Sequence, residues 1–281
     1  MADQVMSTAT EYAAAVPELW SSNFYEPLFE NLPFNEVVNR DYEGEIKALG
    51  DTVNITQFPQ FDLADDISED ARVDADAVTA VNLQLIINHQ LCKDFIVTER
   101  AMRQALNGDM NLRNHAVFAI AKKMQQIMIT DTVPSASSPD HQIAYTSGTT
   151  LALADVTAAS ELLDLQDVPQ DGKRHMILGA AQYNDLFNIL GFTSHDFVPA
   201  GSPLSSGSVL SPVVGFQVKM TSEAGNVAYL FHSTYLTAAV QQAPEVKAFD
   251  LGVDGKRAMR TNVSMLMGSK QLSNIRVVEI A

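Results

Sequence analysis

The run Thr146-Ser147-Gly148-Thr149-Thr150, within AYTSGTTLALADV (Ala144 to Val156), repeats the first half of a nucleotide phosphate loop of the form TSG-[ST]-TG-x-P-K-G. Such a loop works by presenting a row of free backbone N–H groups, with a lysine that reaches the phosphates. Here the chain continues Leu151-Ala152-Leu153, with no second glycine and no nearby lysine. A Ser-Gly pair between β-type residues makes an ordinary turn, and a turn is the expectation. His195 and Asp196 follow Ser194, but neighbours in sequence point in different directions and do not make a triad, which is a matter of geometry. His89 and His232 fall in predicted strands and His115 in a predicted helix; none has a second ligand or base at workable spacing. The acidic run Asp62, Asp65, Asp66, Glu69, Asp70, Asp74, Asp76 lacks the D-x-[DN]-x-[DN]-G pattern of a calcium loop, and a solvated acidic tip is expected. Asn54-Ile55-Thr56 and Asn262-Val263-Ser264 fit the glycosylation sequon, without a secretory signal to give it meaning. The single Cys92, in LIINHQLC, excludes an internal disulfide and a cysteine zinc cage, and is expected as a buried, inert thiol. No catalytic, cofactor-binding or metal site is expected.

These residues need elements to position them. With 281 residues, 46% apolar and 19% charged, the chain can bury a real core in one or two units; an adenylating enzyme needs a much longer chain. The net charge of −16 and pI near 4.6 argue against attraction to nucleic-acid phosphates or an anionic membrane. The start, MADQVMSTATEYAAAV, has no basic n-region, and no run reaches the length of about 18 apolar residues that a spanning helix requires. The protein is expected to work where it is made, or in something built there.

The N-terminal stretch ELWSSNFYEPLFENLPFNEVVNRDY places Trp20, Phe24, Tyr25, Phe29, Phe34 and Tyr42 among prolines and polar residues without a continuous period, although Glu18 to Leu28 could form a short helix. Bulky aromatics on an irregular arm need a surface to lie on, their own domain or a neighbour. GDTVNITQF and AVNLQLIIN alternate with period two and predict half-buried strands, joined by the acidic loop. A two-stranded ribbon is marginal alone. From Asn107 to Asp131 the period becomes 3.6, with Leu112, Ala116, Ala119, Ile120, Met124, Ile127 and Met128 on one face. Thr98 is the expected cap of this helical region and Gly108 an interruption. Then come a helix over Asp155 to Leu165, a buried strand over His175 to Leu178, and a helix over Ala180 to Leu190 ended by Gly191. A Gly/Ser/Pro-rich loop, PAGSPLSSGSVLSP, follows. GFQVKMTSEAGNVAYLFH predicts strand, turn at Glu223 to Asn226, strand; TNVSMLMGSKQLSNIRVVEIA predicts two strands joined near Gly268.

This order resembles the major capsid protein of tailed bacteriophages, an α+β protein of the Hong Kong 97-type fold. YEGEIKALGDTVNI resembles the lead-in to the E-loop of many phage coats; VVGFQVKMTS followed by AYLFHSTYLTAAVQQ resembles their A-domain return. The resemblance implies an N-arm over 1–40, an E-loop β-hairpin over 41–95, and a P-domain with a long spine helix over 96–140. It further implies an A-domain with a mixed α/β sheet over 141–250, and P-domain return strands over 251–281. The implied function is an icosahedral shell enclosing double-stranded DNA without sequence-specific binding, in the virion, assembled in the host bacterial cytoplasm. Implied partners are further copies of the chain in hexamers and pentamers, a portal protein, and a separate scaffolding protein, since the arm begins near Trp20. A possible decoration protein is left open; no cofactor and no membrane are implied. The loop from Phe58 to Val78 holds Arg72 but no lysine, so covalent crosslinking through it is not expected.

Three packing expectations follow. Trp20, Phe24, Tyr25 and Phe29 dock on adjacent subunits. The face of Leu112, Ala116, Ile120, Met124 and Ile127 packs on Val263, Met265, Ile275 and Val277. The acids Asp65, Asp66, Glu69 and Asp70 face Lys256, Arg257 and Arg260 of a neighbour, where a solvated tip is nearly as good a reading. An encapsulin-type compartment is the alternative use of the same fold, and a small adenylating or hydrolytic enzyme a remote one.

Overall fold

The computed structural model describes residues 32–43, 50–58, 78–104, 108–189, 212–251 and 257–281. Along the chain run α1 (Phe34–Val37), β1 (Thr52–Gln57), β2 (Val81–Ile86), β3 (His89–Thr98), α2 (Glu99–Gln104) and α3 (Gly108–Asp131). They are followed by β4 (Gln142–Ile143), α4 (Leu153–Leu165), β5 (Arg174–Leu178) and α5 (Ala180–Asp185). The described chain closes with β6 (Gln217–Met220), β7 (Ala228–His232), β8 (Leu236–Asp250), β9 (Ala258–Gln271) and β10 (Val277–Ile280).

The period-two segments pair as an antiparallel ribbon, with Val53↔Leu85, Ile55↔Leu83 and Gln57↔Val81 in register. Alternation puts these pairs on one face and Thr52, Asn54 and Thr56 on the other. On the polar face the amides of Asn82 and Gln84 both donate to Asn54 Oδ1 at 3.1 Å. The foot of the ribbon is fixed by burial of Val53 and Leu85 against Ala239. Gly268 permits this approach: a Cβ there would lie 2.2 Å from the carbonyl oxygen of Ile86.

β9 is the centre of a three-stranded sheet ordered β3-β9-β8. Its alternate residues Thr261, Val263, Met265 and Met267 are buried. Against them α3 lays Ala116, Ile120, Met124, Ile127 and Met128, in a cluster with Leu91 and Val277. Two members of the expected contact depart from it. Leu112 is 43% exposed, because steps of four residues drift by about 40° each on a helix, turning it far from the line of Met124. Ile275 is only half-buried, in the turn before β10. Thr98 does cap the helical region, its hydroxyl accepting from the Ala101 N–H at 3.3 Å, and α3 starts afresh at Gly108.

The five-stranded sheet has the order β4-β10-β7-β5-β6. β7 is central and all five of its residues are buried. Tyr229 and Phe231 enter the cluster shared with α3, whereas Ala228 and Leu230 enter a second cluster with Val156, Ala159 and Leu163 of α4. One strand thus faces two cores.

The expected strand, turn and strand are present as β6 and β7, with β5 lying between them, parallel to β6 and antiparallel to β7. Several other expectations are corrected. The C-terminal strands do not join near Gly268. β9 runs through it to Gln271, and β10 belongs to the other sheet, because the ribbon's backbone above Gly268 demands a strand without a side chain there. The helix over Ala180 to Leu190 is shorter: α5 ends at Asp185 and passes into a 3-10 turn, Leu186–Asn188; Leu190 and Gly191 lie outside the described residues. The long strand β8 had no sequence signal, as Pro244 and the charged Glu245 and Lys247 interrupt its pattern; register shifts between Val240 and Gln242 and between Gln242 and Glu245 accommodate the proline. β8 pairs with β9, and β10 pairs with β7. Cys92 is exposed rather than buried. Strand alternation turns it outward next to buried Leu91, which an apolar run in sequence does not reveal.

Candidate assembly surfaces

The chemically suggestive residues resolve into structural roles. Thr146 to Thr150 form a turn closed by the Thr150 N–H on the Ser147 carbonyl at 3.1 Å, with Gly148 at φ 65°. Its neighbour Asp155, 1% exposed, accepts the Thr146 N–H at 3.2 Å, the Thr146 hydroxyl, and the Ala152 N–H at 2.9 Å. A carboxylate therefore holds the N-terminus of α4, where a phosphate loop would keep its N–H groups free. Sequence reading missed one constellation, His232 between Asp171 Oδ1 at 3.1 Å and the Thr234 hydroxyl at 2.9 Å. Asp171 is sixty-one residues away in the chain, beyond any spacing rule. Thr234 also accepts from Arg276 at 3.1 Å, and the set ties the ends of β5, β7 and β10. His175 is held neutral, its pKa lowered to about 4 by burial and then by Lys219 and His232. Among the described residues no three His, Cys, Asp or Glu side chains gather as a metal site, and no helix is long and apolar enough to cross a membrane. His195 and the acids from Asp62 to Asp76 lie outside the described residues.

What the fold leaves open is surface of a different kind. The apolar face of the ribbon is buried at its foot and bare further out. Ile55 and Leu83 are half-buried, while Val81 is 54%, Val78 50% and Phe58 69% exposed. Beneath it lies a cleft of about 430 Å³ lined by Gln57, Leu83, Lys270, Leu272 and Ile275. A second bare surface is the outward face of the three-stranded sheet, where Ile96 and Phe249 flank Arg260 in register and are 60% and 50% exposed. Both surfaces carry large apolar groups that no part of the described chain covers, and grouped exposed apolar side chains mark interaction sites.

The sequence-derived interface residues fare unequally. Arg260 donates from Nε to Asp94 Oδ2 at 2.8 Å and again from Nη2, holding the Asp94 carboxyl below its ordinary pKa. Arg257 lies 3.7 Å from Glu99. These two cations thus have carboxylate partners within their own chain. Lys256, Asp65, Asp66, Glu69, Asp70, Trp20, Phe24, Tyr25 and Phe29 lie outside the described residues. Two other aromatics of the N-terminal region pack on their own domain. Phe34 is fully buried and stacks on Phe231 with ring centroids 5.7 Å apart, and Tyr42 packs on the Val53–Leu85 cluster.

Residues 41–281 match the phage capsid protein family. Among solved structures, a chain of Mycobacterium phage Che8 is 21% identical and superposes with a TM-score of 0.75, covering 94% of this chain and 96% of its own. The capsid of cyanophage P-SCSP1u is 13% identical at TM-score 0.74, covering 100% and 96%. The capsid of cyanophage Pam1 is 16% identical at 0.72, covering 100% and 98%. No curated protein sequence matches the chain. The chain belongs to the phage capsid protein family, with the Hong Kong 97-type fold, and is a major capsid protein that forms the shell of a tailed phage. It is a structural protein of the virion, which associates with copies of itself. Neither the encapsulin reading nor the enzyme reading gains support from these matches.

Proposed function

We propose that the chain closes into an icosahedral shell of hexamers and pentamers around double-stranded DNA by handing its ribbon to a neighbouring copy, and that it has no catalytic activity. The observation that carries this is the graded burial of the ribbon's apolar face, from Val53 and Leu85 at the foot to Val81 and Phe58 further out. An isolated two-stranded ribbon gains too little from its own contacts to persist in water, so its outer part needs a second copy. In the family's terms, the ribbon is the E-loop. The three-stranded sheet with α2 and α3 is the P-domain, and the five-stranded sheet with α4 and α5 is the A-domain. Trp20, Phe24, Tyr25 and Phe29 dock on adjacent subunits, tethered through the seated Phe34.

The acids Asp65, Asp66, Glu69 and Asp70 approach Lys256, Arg257 and Arg260 of a neighbour. Since Asp94 and Glu99 already engage two of these cations, this contact steers more than it binds. The net charge of −16 supports a container that releases DNA, because each contacted phosphate would strengthen non-specific retention. A separate scaffolding protein and a portal protein take part in assembly in the host cytoplasm, and a decoration protein is a possible addition outside. The test is Val81→Asp combined with Leu83→Asp. The free subunit is expected to remain folded by circular dichroism, while electron microscopy finds no shells. Normal shells from this variant would overturn the ribbon's role.

A further inference from the structure

Helix α3 meets its surroundings in two chemically distinct ways. Toward the three-stranded sheet it presents mainly carbon, with Asp131 at its end accepting from the Ser269 hydroxyl of β9, and the same apolar cluster continues to Tyr229, Phe231 and Val277 of the five-stranded sheet. Toward the turn between β6 and β7 it presents hydrogen-bonding groups. Gln125, with no exposure, donates from Nε2 to the hydroxyl of buried Thr221 at 2.8 Å. One turn of helix supplies two more contacts, since Glu223 takes Lys122 Nζ at 2.7 Å on one oxygen and Gln126 Nε2 at 2.6 Å on the other. The turn is itself fixed to the sheet by the Thr221 N–H, which donates to the Leu178 carbonyl of β5 at 2.9 Å. From β6 itself, Lys219 Nζ lies 2.6 Å from Glu36 of α1, and Asn35 of α1 donates to the Ala121 carbonyl of α3 at 3.4 Å.

The two kinds of contact constrain different things. Apolar burial is non-directional and tolerates small rotations of one element on another. Hydrogen bonds have narrow angular limits, and a buried one is expensive to leave unmade. Of the contacts that α3 makes, the polar set is the one that selects a single orientation of the helix relative to the five-stranded sheet.

We propose that Lys122, Gln125 and Gln126 with Thr221 and Glu223 form a latch that fixes the angle between the two halves of the subunit, and through it the curvature at which the shell closes. This rests on the reading that copies of the chain close into a shell. A small change of angle repeated in every subunit alters the radius of the assembly, whereas the fold of one subunit changes little.

The test compares the parent with a combined variant, Gln125→Met, Thr221→Val and Glu223→Gln, which replaces the buried pair by apolar groups of similar volume and removes the charge of Glu223. Replacing both partners of a buried hydrogen bond together is close to neutral for folding. Electron microscopy of assembled particles is expected to find one diameter for the parent, and several diameters or open sheets for the variant. Amide exchange on dissociated subunits is expected to be about tenfold faster over residues 122–126 and 221–224, the size of effect that loss of a charged hydrogen bond gives. Variant shells of the parent's single diameter would overturn the latch, and so would unchanged exchange. If the parent itself forms no shell, the assembly reading fails, and exchange on the subunits still decides whether the latch exists. Should the combined variant not fold, Glu223→Gln alone is judged by the same two measurements.

Discussion

β7 and the far half of β8 are near neighbours in the chain and opposites in environment. Every residue of β7 is buried between two cores, whereas β8 is buried from Leu236 to Val240 and exposed from residue 243 to its end. β7 is paired in continuous register, and so is β8 from Glu245 onward, beyond its register shifts. The difference lies in what covers them. β7 has α3 and its sheet partners on one side and α4 on the other, so its own chain accounts for every apolar residue. Far β8 carries Val246 and Phe249 at 40% and 50% exposure, and the described chain covers them only in part. The first kind of strand makes the fold, and grouped exposed apolar residues of the second kind mark surfaces open to interaction.

The largest expected effect tests the covered side. Ile120→Asp puts an unpaired charge into the cluster of Val263, Met265 and Phe231, and should destabilise the subunit by about 3–5 kcal/mol. Insoluble or unfolded protein by solubility and circular dichroism is the expected result; a soluble variant that still builds shells would remove α3 from the core.

Next in size is Gly268→Ala. The added carbon collides with the Ile86 carbonyl, and relief by moving the ribbon should cost about 1–3 kcal/mol. Limited proteolysis should then cut near β1 and β2 well before the central sheet, and assembly should suffer more than subunit folding. Equal protease resistance of ribbon and core would break the distinction between them.

A smaller effect comes from pH. His175, on β5 opposite Phe231, has a folded pKa near 4 against an ordinary 6.5, because burial and the nearby Lys219 and His232 disfavour its charged form. The unfolded chain therefore binds this proton first as the pH falls. The stabilisation is complete above about 6.5 and is lost between there and about 4. Denaturant midpoints of parent and His175→Gln should converge across that window, and a constant difference between them would contradict the assignment.

The smallest effect on the subunit belongs to the bare face. Ile96→Ser with Phe249→Ser should leave the free subunit's denaturation within about 0.5 kcal/mol of the parent, yet reduce the yield of shells. A large loss of subunit stability would mean that these side chains serve their own fold after all.

How much of this was legible in the sequence depends on the range of the contact. The ribbon's strands, the helix face of Ala116, Ile120, Met124, Ile127 and Met128, and the Thr98 cap were readable, because period two, period 3.6 and a cap are properties of a few consecutive residues. β8 was not, since its distal half faces solvent in the subunit and lacks the alternation that one-sided burial would impose. The joining of β9 and β10 was misplaced because a glycine inside a strand looks like a turn until the strand lying above it is known. The His232–Asp171 pair was invisible for the same reason, as it depends on the end of β7 meeting the loop before β5.

By itself, the sequence determined that this is an acidic chain with an aromatic arm, an amphipathic ribbon and a long amphipathic helix, and that order was specific enough to place its family. These are local and compositional properties, decided by side-chain type and spacing along the backbone. Only the tertiary structure decided which apolar faces the chain covers itself and which it leaves bare. It also decided that Arg257 and Arg260 already have partners, that Cys92 points outward, and that α3 is joined to the β6–β7 turn by hydrogen bonds as well as carbon. Burial and pairing are relations between distant segments, and their free energy exists only once chain topology has brought those segments together.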